Sequence, residues 1–219
     1  MSTTPPRIAL IHAVQVAMAP VEFAFQKRWP QAQRFNLLDD GLSPQLANEG
    51  LTSSVKARIR RLAEHAIESG ADGILYTCSA FGEAIADVAA TVKIPVLKPN
   101  QAMFEAALSE GKRIGMIATF APAVAPMVAE FDELAAIKGK NSPTLETICI
   151  PEAMTAARSG NLNVHNRLVA EAAPRLAHCD VLMLAHFSTS PALEAVQSVI
   201  SIPVFSCLLY TSPSPRDGL

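Results

Sequence analysis

An internal repeat constrains the fold of this 219-residue chain more than any other feature of its sequence. The segment DGILYTCSAFGEAIADVAATVKIPV, which begins at Asp72, aligns without a gap with DVLMLAHFSTSPALEAVQSVISIPV, which begins at Asp180. The run RIALIHA at Arg7 likewise matches RIGMIAT at Arg113. A strand and helix plan that recurs at nearly the same spacing indicates that one α/β unit has been used twice.

The predicted strands are near-continuous apolar runs rather than alternating ones, and amphipathic stretches separate them. Continuous apolar strands are typical of parallel sheets that are buried on both faces. The strand candidates are 7–13, 33–38, 73–78, 95–98, 113–119, 145–150, 181–185 and 203–205. The helix candidates are 18–29, 51–69, 80–92, 100–110, 122–138, 162–177 and 190–200.

These patterns predict an α/β fold with two pseudo-symmetric lobes, each a mostly parallel sheet flanked by helices, and an active site between the lobes. We place the N-terminal lobe at 1–99 and the C-terminal lobe at 100–206. The remaining segment, 207–219, reads CLLYTSPSPRDGL and has turn-forming Ser-Pro steps without periodicity. It resembles translated sequencing-adapter DNA, so we interpret it as a non-native tail that follows a truncated gene.

Charge and composition exclude several classes of function. The formal net charge is −2 and lysine and arginine form no stripe, so a nucleic-acid or membrane-surface partner is not expected. No apolar run approaches the roughly 18–20 residues that a spanning helix needs, and MSTTPPR lacks a signal-peptide core. We therefore expect a cytoplasmic protein. The sequence also lacks GxGxxG, GxxxxGK[ST] and GxSxG, which argues against nucleotide, flavin and serine-hydrolase chemistry.

The cysteines show no metal-binding or disulfide pattern. None of Cys78, Cys149, Cys179 and Cys207 forms a CxxC pair, and no histidine spacing indicates zinc. We expect reduced thiols in a reducing compartment and predict neither a metal nor a cofactor.

Cys78 is the main catalytic candidate. It lies between a predicted strand end and a helix start, where unpaired backbone N–H groups and the helix dipole favour a thiolate. Thr77 and Ser79 flank it with hydroxyl groups, and the same N–H groups suit a substrate carboxylate. The alternative is a buried, inert cysteine of the core.

The repeat aligns His186 with Cys78, and both stand where parallel α/β sheets bind ligands, beyond the carboxyl ends of strands. His186 is therefore the second catalytic candidate, a group that can exchange a proton near neutral pH. Further substrate-binding candidates lie at other strand ends and helix starts: His12, Asn100, Thr119, Phe120 and Ser188. Helix capping by the polar residues, and a structural role for His12, are the competing interpretations.

Over roughly residues 7–206, the chain resembles the aspartate/glutamate/hydantoin racemase superfamily. The resemblance rests on the order of RIALIHA, GADGILYTCSAFG, PVLKPN, GKRIGMIATFAP, DVLMLAHFS and IPVFS. It implies two pseudo-symmetric lobes and cofactor-independent chemistry on a small carboxylic acid, an amino acid, a hydantoin or a related compound. It also implies a homodimer or a higher homo-oligomer.

In racemases of this superfamily, two cysteines on opposite sides of the α-carbon exchange its proton. Cys78 in TCS matches the first cysteine, whereas His186 stands at the position of the second, so this chain is similar to one-cysteine relatives with an LAxFS motif. Racemisation by a Cys78 thiolate and a His186 imidazolium is one expectation. Decarboxylation of a malonate-type acid with Cys78 as proton donor is another, and maleate-isomerase-like chemistry is a third. A binding protein that kept the cleft without catalysis is the alternative from another class.

Overall fold

The computed structural model describes residues 5–139 and 143–210, which fall into two compact units divided between Pro99 and Asn100. Each unit is built on its own parallel sheet of four strands. Both sheets are flanked by helices, as the apolar strands and amphipathic stretches predict. The expected α/β fold class is therefore confirmed.

The first unit has the strand order β2-β1-β3-β4, with every described strand pair parallel. Its strands are β1 Arg7–His12, β2 Gln33–Leu38, β3 Gly73–Tyr76 and β4 Val96–Leu97. Its helices are α1 Met18–Arg28, α2 Leu42–Glu49, α3 Ser53–Glu68 and α4 Gly82–Ala89. All four residues of the inner strand β3 are buried, which explains its uninterrupted apolar run.

The second unit repeats this topology with the order β6-β5-β7-β8. Its strands are β5 Arg113–Ala118, β6 Thr144–Cys149, β7 Val181–Leu184 and β8 Val204–Ser206. Its helices are α5 Gln101–Glu110, α6 Val124–Ile137, α7 Pro151–Arg158, α8 Leu162–Ala172, α9 Leu193–Gln197 and α10 Cys207–Tyr210. The core contains an edge-to-face pair of buried rings, Phe104 and Phe131, whose centroids lie 5.6 Å apart.

In both units, the first residue of a central strand donates its backbone N–H to an aspartate carboxylate. The backbone N–H of Arg7 donates to Asp72 Oδ2 at 2.8 Å, and the backbone N–H of Arg113 donates to Asp180 Oδ2 at 2.8 Å. Hydrogen bonds from Arg113 and Lys112 lower the pKa of Asp180 to about 2. These are the aspartates that begin the two aligned segments, so the repeat in sequence is also a repeat in three-dimensional contacts.

Three short helices were not predicted from the sequence: α2, α7 and the four-residue α10. Both α2 and α7 have eight residues and carry a proline in their first turns, Pro44 and Pro151. Proline is compatible with the first turn of a helix because the amide hydrogens there have no intrahelical acceptor. Short segments of this kind lack enough periodicity to distinguish them from turns.

Part of the predicted non-native tail is described. Cys207 and Leu208 are buried in the second unit, whereas residues 211–219 lie outside the described part of the chain. The tail assignment stays a prediction. Within the described residues, no helix combines the length and apolar character needed to cross a bilayer.

Candidate functional site

Cys78 lies two residues beyond β3, where the chain changes from extended to helical. Its backbone is extended, with φ −113° and ψ 121°, and it precedes a 3₁₀ turn, Ser79–Phe81, that leads directly into α4. The first N–H groups of such a segment lack intrahelical acceptors and place partial positive charge near the sulfur. The residue is half-buried at this turn.

A hydrogen-bonded chain supports the residue before Cys78. Thr77 Oγ1 lies 2.9 Å from His12 Nδ1, and His12 Nε2 lies 2.8 Å from Asn36 Oδ1. Burial lowers the pKa of His12, and the hydrogen bond to Asn36 offsets this only in part, so the ring is neutral near pH 7. A neutral ring that donates from Nε2 to Asn36 presents Nδ1 as an acceptor to the Thr77 hydroxyl, which also lies 3.3 Å from the carbonyl oxygen of Ile11.

These hydrogen bonds indicate that His12 supports Thr77. The ring has no exposed surface, and both of its nitrogens have hydrogen-bond partners. It therefore orients Thr77 from a buried position. Asn36 was missed by the sequence reasoning, although an amide in the middle of the β2 run QRFNLL was a usable signal. The repeat-related positions of His12 and Thr77 are Ala118 and Ala185, which cannot form this chain in the second unit.

Ser79 has a different environment from Thr77. Its side chain is buried, and its hydroxyl has no hydrogen-bond partner among the described residues. A buried hydroxyl group without a partner is unfavourable by roughly 1–3 kcal/mol, so such groups require a structural or functional explanation. A substrate oxygen beside Cys78 would satisfy it.

His186 lies in the second unit at the place that corresponds to Cys78, two residues beyond β7. Its backbone has φ 71° and ψ 142°, the one positive φ at a non-glycine residue in the described part of the chain. Side chains are strained in this region by about 1–3 kcal/mol, and such strain concentrates at functional sites. The turn Phe187–Ala192 that follows leads into α9.

Burial determines the protonation of His186. The side chain is 7% exposed, and its Nε2 is buried without a hydrogen-bond partner among the described residues. Burial lowers its pKa to about 4, so the ring is neutral near pH 7. Burial therefore disfavours the resting imidazolium that the racemisation expectation invoked. A neutral ring with an unpartnered nitrogen is suited to accept a hydrogen bond, and the burial that keeps it neutral also makes it a weak base.

The strain at residue 186 predicts an unusual order of stability. We expect His186→Gly to be more stable than His186→Ala by about 1 kcal/mol, because glycine adopts a positive φ without strain and this outweighs its extra unfolded-state entropy. Urea unfolding of the two variants gives the difference. At the repeat-related Cys78, where φ is −113°, the alanine variant should be the more stable one. An alanine variant at 186 as stable as the glycine variant would contradict the strain.

The hydroxyl candidates of the second unit lie at two strand ends. Thr119 follows β5, and its Oγ1 lies 3.4 Å from Thr189 Oγ1. Thr189 belongs to the turn that follows His186 and that also contains the buried Ser188. None of the turn's hydroxyls caps a helix, because His186 precedes the turn and Ala192 precedes α9. This corrects the capping interpretation of Ser188.

Phe120 contacts a basic residue that sequence reasoning missed. The Arg158 guanidinium carbon at the end of α7 lies 6.0 Å from the centre of the Phe120 ring. Arg158 is exposed and forms no ion pair with the described residues, so it is suited to bind a carboxylate. The signal in the sequence was a single arginine at the end of PEAMTAAR.

Asn100 is fully buried and is engaged by its own unit. Its Nδ2 donates to Glu130 Oε2 at 3.1 Å, and its Oδ1 lies 3.7 Å from the Cys207 sulfur. The same sulfur lies 3.7 Å from the carbonyl oxygen of Leu184, two residues before His186. Burial raises the pKa of Cys207 to about 12, so this thiol is protonated at neutral pH. Through Cys207, Asn100 therefore supports the carboxyl end of β7.

The structure thus brings the predicted residues into two clusters, one per unit. The first-unit cluster contains His12, Asn36, Thr77, Cys78 and Ser79, and the second-unit cluster contains Thr119, His186, Ser188, Thr189 and, through Phe120, Arg158. Each stands at the carboxyl ends of parallel strands, where α/β sheets bind ligands. The first-unit cluster offers a thiol and hydroxyl groups, and the second-unit cluster offers a neutral imidazole, hydroxyl groups and a guanidinium.

A family model matches residues 30–133, and its description is Asp/Glu/Hydantoin racemase. No curated protein matches the chain. The match includes Thr77, Cys78 and Ser79 of the first-unit cluster.

Several solved structures share the fold. A glutamate racemase from Bacillus anthracis is 15% identical with a TM-score of 0.75, over 95% of this chain and 79% of the other. An aspartate racemase from Picrophilus torridus is 12% identical with a TM-score of 0.71, over 93% and 89% of the two chains. An allantoin racemase from Klebsiella pneumoniae is 14% identical with a TM-score of 0.65, over 93% and 83%.

Proposed function

We propose proton transfer at the α-carbon of a small carboxylic acid as the reaction of this chain, which belongs to the Asp/Glu/hydantoin racemase superfamily. The substrate class is an amino acid, a hydantoin or a related compound, and the reaction is racemisation or isomerisation. The observation that carries the proposal is the half-buried Cys78 at the carboxyl end of β3, directly before the 3₁₀ turn that leads into α4.

Cys78 is better suited to this role than the other cysteines. Burial raises the pKa of the thiols of Cys149, Cys179 and Cys207, and neighbouring carboxylates raise each of these pKa values further. A thiol that resists ionisation releases its proton reluctantly and is a poor proton carrier at neutral pH. The repeat-related strand end in the second unit carries His186 instead of a cysteine.

We assign His186 as the second proton carrier, in the direction that its neutral resting state dictates. Burial makes the ring a weak base, and a substrate carboxylate beside it would offset that effect. The neutral ring takes the α-proton, and the electron pair of the C–H bond passes into the substrate carbonyl or carboxyl group. The Cys78 thiol then gives its proton to the opposite face of the α-carbon. This leaves an imidazolium and a thiolate, which return to the resting state by proton exchange with water.

The carbanionic intermediate requires positive electrostatic potential. Hydroxyl groups of Ser79, Thr119 and Ser188 and the N–H groups at the two helix starts are the proposed donors to the developing charge. The Thr77 hydroxyl, whose proton is taken within the first unit, is proposed to position the residues next to Cys78. The Arg158 guanidinium is the proposed partner of a substrate carboxylate. The resemblance implies cofactor-independent chemistry, and every proton in this scheme moves between protein side chains, substrate and water.

Decarboxylation of a malonate-type acid is the second candidate function. The neutral, buried state of His186 favours it, because it leaves Cys78 as the one group of the proposed pair that starts with a proton to give. Loss of carbon dioxide forms the same kind of carbanion without a base. Cys78 then protonates that carbanion on one face.

Incubation of the full chain with candidate acids in deuterated water, followed by NMR, tests the reaction class. We expect deuterium at the α-carbon without release of carbon dioxide for racemisation, and with release for decarboxylation. Amino acids, hydantoins and 2-substituted malonates are the three substrate panels. Ligand-induced thermal stabilisation without any deuterium incorporation would contradict catalysis and support a binding protein.

We also propose a cytoplasmic location and a homodimer or higher homo-oligomer, as the sequence and its resemblance imply. Neither a nucleic acid nor a membrane surface is a proposed partner, since the net charge is −2 and basic residues form no stripe. Light scattering of the purified full chain measures the assembly state.

A further inference from the structure

A cluster of potential metal ligands lies in the second unit, apart from the residues at the carboxyl ends of the strands. Glu146, His178 and Cys179 each offer one donor atom, and all three atoms lie within 4.8 Å of one another. We propose that these residues bind a divalent zinc ion. The inference is independent of the proposed catalytic reaction.

The topology explains why residues distant in sequence meet here. Glu146 is the third residue of β6, and His178 and Cys179 end the connection that leads into β7. Strand β5 lies between β6 and β7, with Gly115 in register with both Glu146 and Leu182. The cluster therefore spans β5 toward the amino ends of the strands, whereas His186 and Thr119 follow their carboxyl ends.

The donor set fits zinc in its chemistry. Imidazole nitrogen, thiolate sulfur and carboxylate oxygen are its ordinary protein ligands, and a mixed set of three leaves one position for water. Sulfur disfavours magnesium and calcium, which prefer sets made of oxygen alone. The three groups therefore select a borderline-soft transition metal.

The spacing also fits zinc. In a tetrahedral site with metal–ligand bonds of about 2.0–2.3 Å, donor atoms stand roughly 3.3–3.6 Å apart. His178 Nε2 now lies 2.8 Å from Glu146 Oε2, so that hydrogen bond would open slightly as both atoms turned to the metal. Both side chains are exposed and can rotate, while Cys179 is buried and provides the fixed point.

Nearby charges are compatible with a cation. Glu146 belongs to the cluster, and Asp180, which follows Cys179 directly, adds a second carboxylate to this region. Arg113 is the neighbouring cation, and its Nη2 is held by Asp180 Oδ1 at 2.9 Å. A dication would offset the remaining negative charge and would link the edge strand β6 to the start of β7.

Cobalt titration of the full chain tests the site, because thiolate–cobalt bonds give a charge-transfer absorption band. We expect the wild-type chain and Cys149→Ser to bind one equivalent with this band, and zinc to displace the cobalt. Cys149 lies on the same strand as Glu146 and is the matched control. Cys179→Ser should lose the band, and His178→Ala should bind at least about tenfold more weakly.

Thermal unfolding with zinc gives a second readout that does not depend on the buried cysteine being replaced. Zinc should raise the unfolding temperature of the wild-type chain and of Cys149→Ser, because a ligand that binds the folded state stabilises it. It should have little effect on His178→Ala, whose altered side chain is exposed. A wild-type chain without the cobalt band, or a band that persists in Cys179→Ser, would overturn the proposal.

Discussion

Replacement of Cys78 by serine is expected to reduce α-proton exchange by about 10²–10⁴-fold, the usual contribution of a positioned acid or base. Serine is close to cysteine in size, but its hydroxyl is far less acidic than a thiol and cannot supply or accept the proton at neutral pH. The half-buried position of Cys78 makes the change in stability small. Deuterium incorporation measured by NMR on any substrate that the wild-type chain turns over gives the ratio.

Cys149→Ser is the matched control for this prediction. Cys149 is also half-buried, and it also stands at the carboxyl end of a strand, as the last residue of β6. It should keep activity close to that of the wild-type chain. Equal activity of Cys78→Ser and the wild-type chain would contradict the assignment of Cys78 for racemisation and for decarboxylation alike.

Acidification from pH 6.5 to pH 4 is expected to lower the free energy of unfolding of the second unit by about 3 kcal/mol through His186 alone. The pKa of His186 in the folded state, about 4, lies below the ordinary value of 6.5. Between these two pH values the unfolded chain therefore binds a proton that the folded chain does not bind. A difference of about 2.5 pKa units at 1.36 kcal/mol each gives that figure. Below about pH 4, both states are protonated and the loss from this residue stops.

Urea unfolding at several pH values between 7 and 4 measures this loss. His186→Gln should show a shallower fall, because the variant has no imidazole at this position to protonate on unfolding. Some fall should remain, since burial also lowers the pKa of His12 and His165. His65→Gln, on the exposed side of α3, is the control and should keep the wild-type slope. Identical slopes for His186→Gln and the wild-type chain would contradict the buried, neutral ring.

Local sequence patterns predicted most of the architecture. The apolar runs located the strands to within one or two residues; β2, for example, is found at the predicted 33–38. They succeeded because strands covered on both faces are apolar along their whole length. They failed for α2 and α7, where eight residues with an early proline carry too little periodicity to be recognised.

The candidate site was predicted only in outline. The repeat indicated that Cys78 and His186 occupy equivalent strand ends, and the structure places both two residues beyond their strands. The charge of His186 could not be predicted, because desolvation depends on side chains that the fold gathers from distant segments. Asn36 and Arg158 were missed for the same reason, since each contacts a residue far away in the sequence.

The sequence by itself determined the duplicated α/β plan, the strand runs and the thiol that precedes α4, because periodicity and turn chemistry act between residues close along the chain. Only the tertiary structure decided that His12 is held between Asn36 and Thr77, that His186 is neutral and strained, and that Glu146 meets His178 and Cys179. Hydrogen bonding, burial and metal-ligand geometry depend on distances between residues that are remote in sequence, and folding sets those distances.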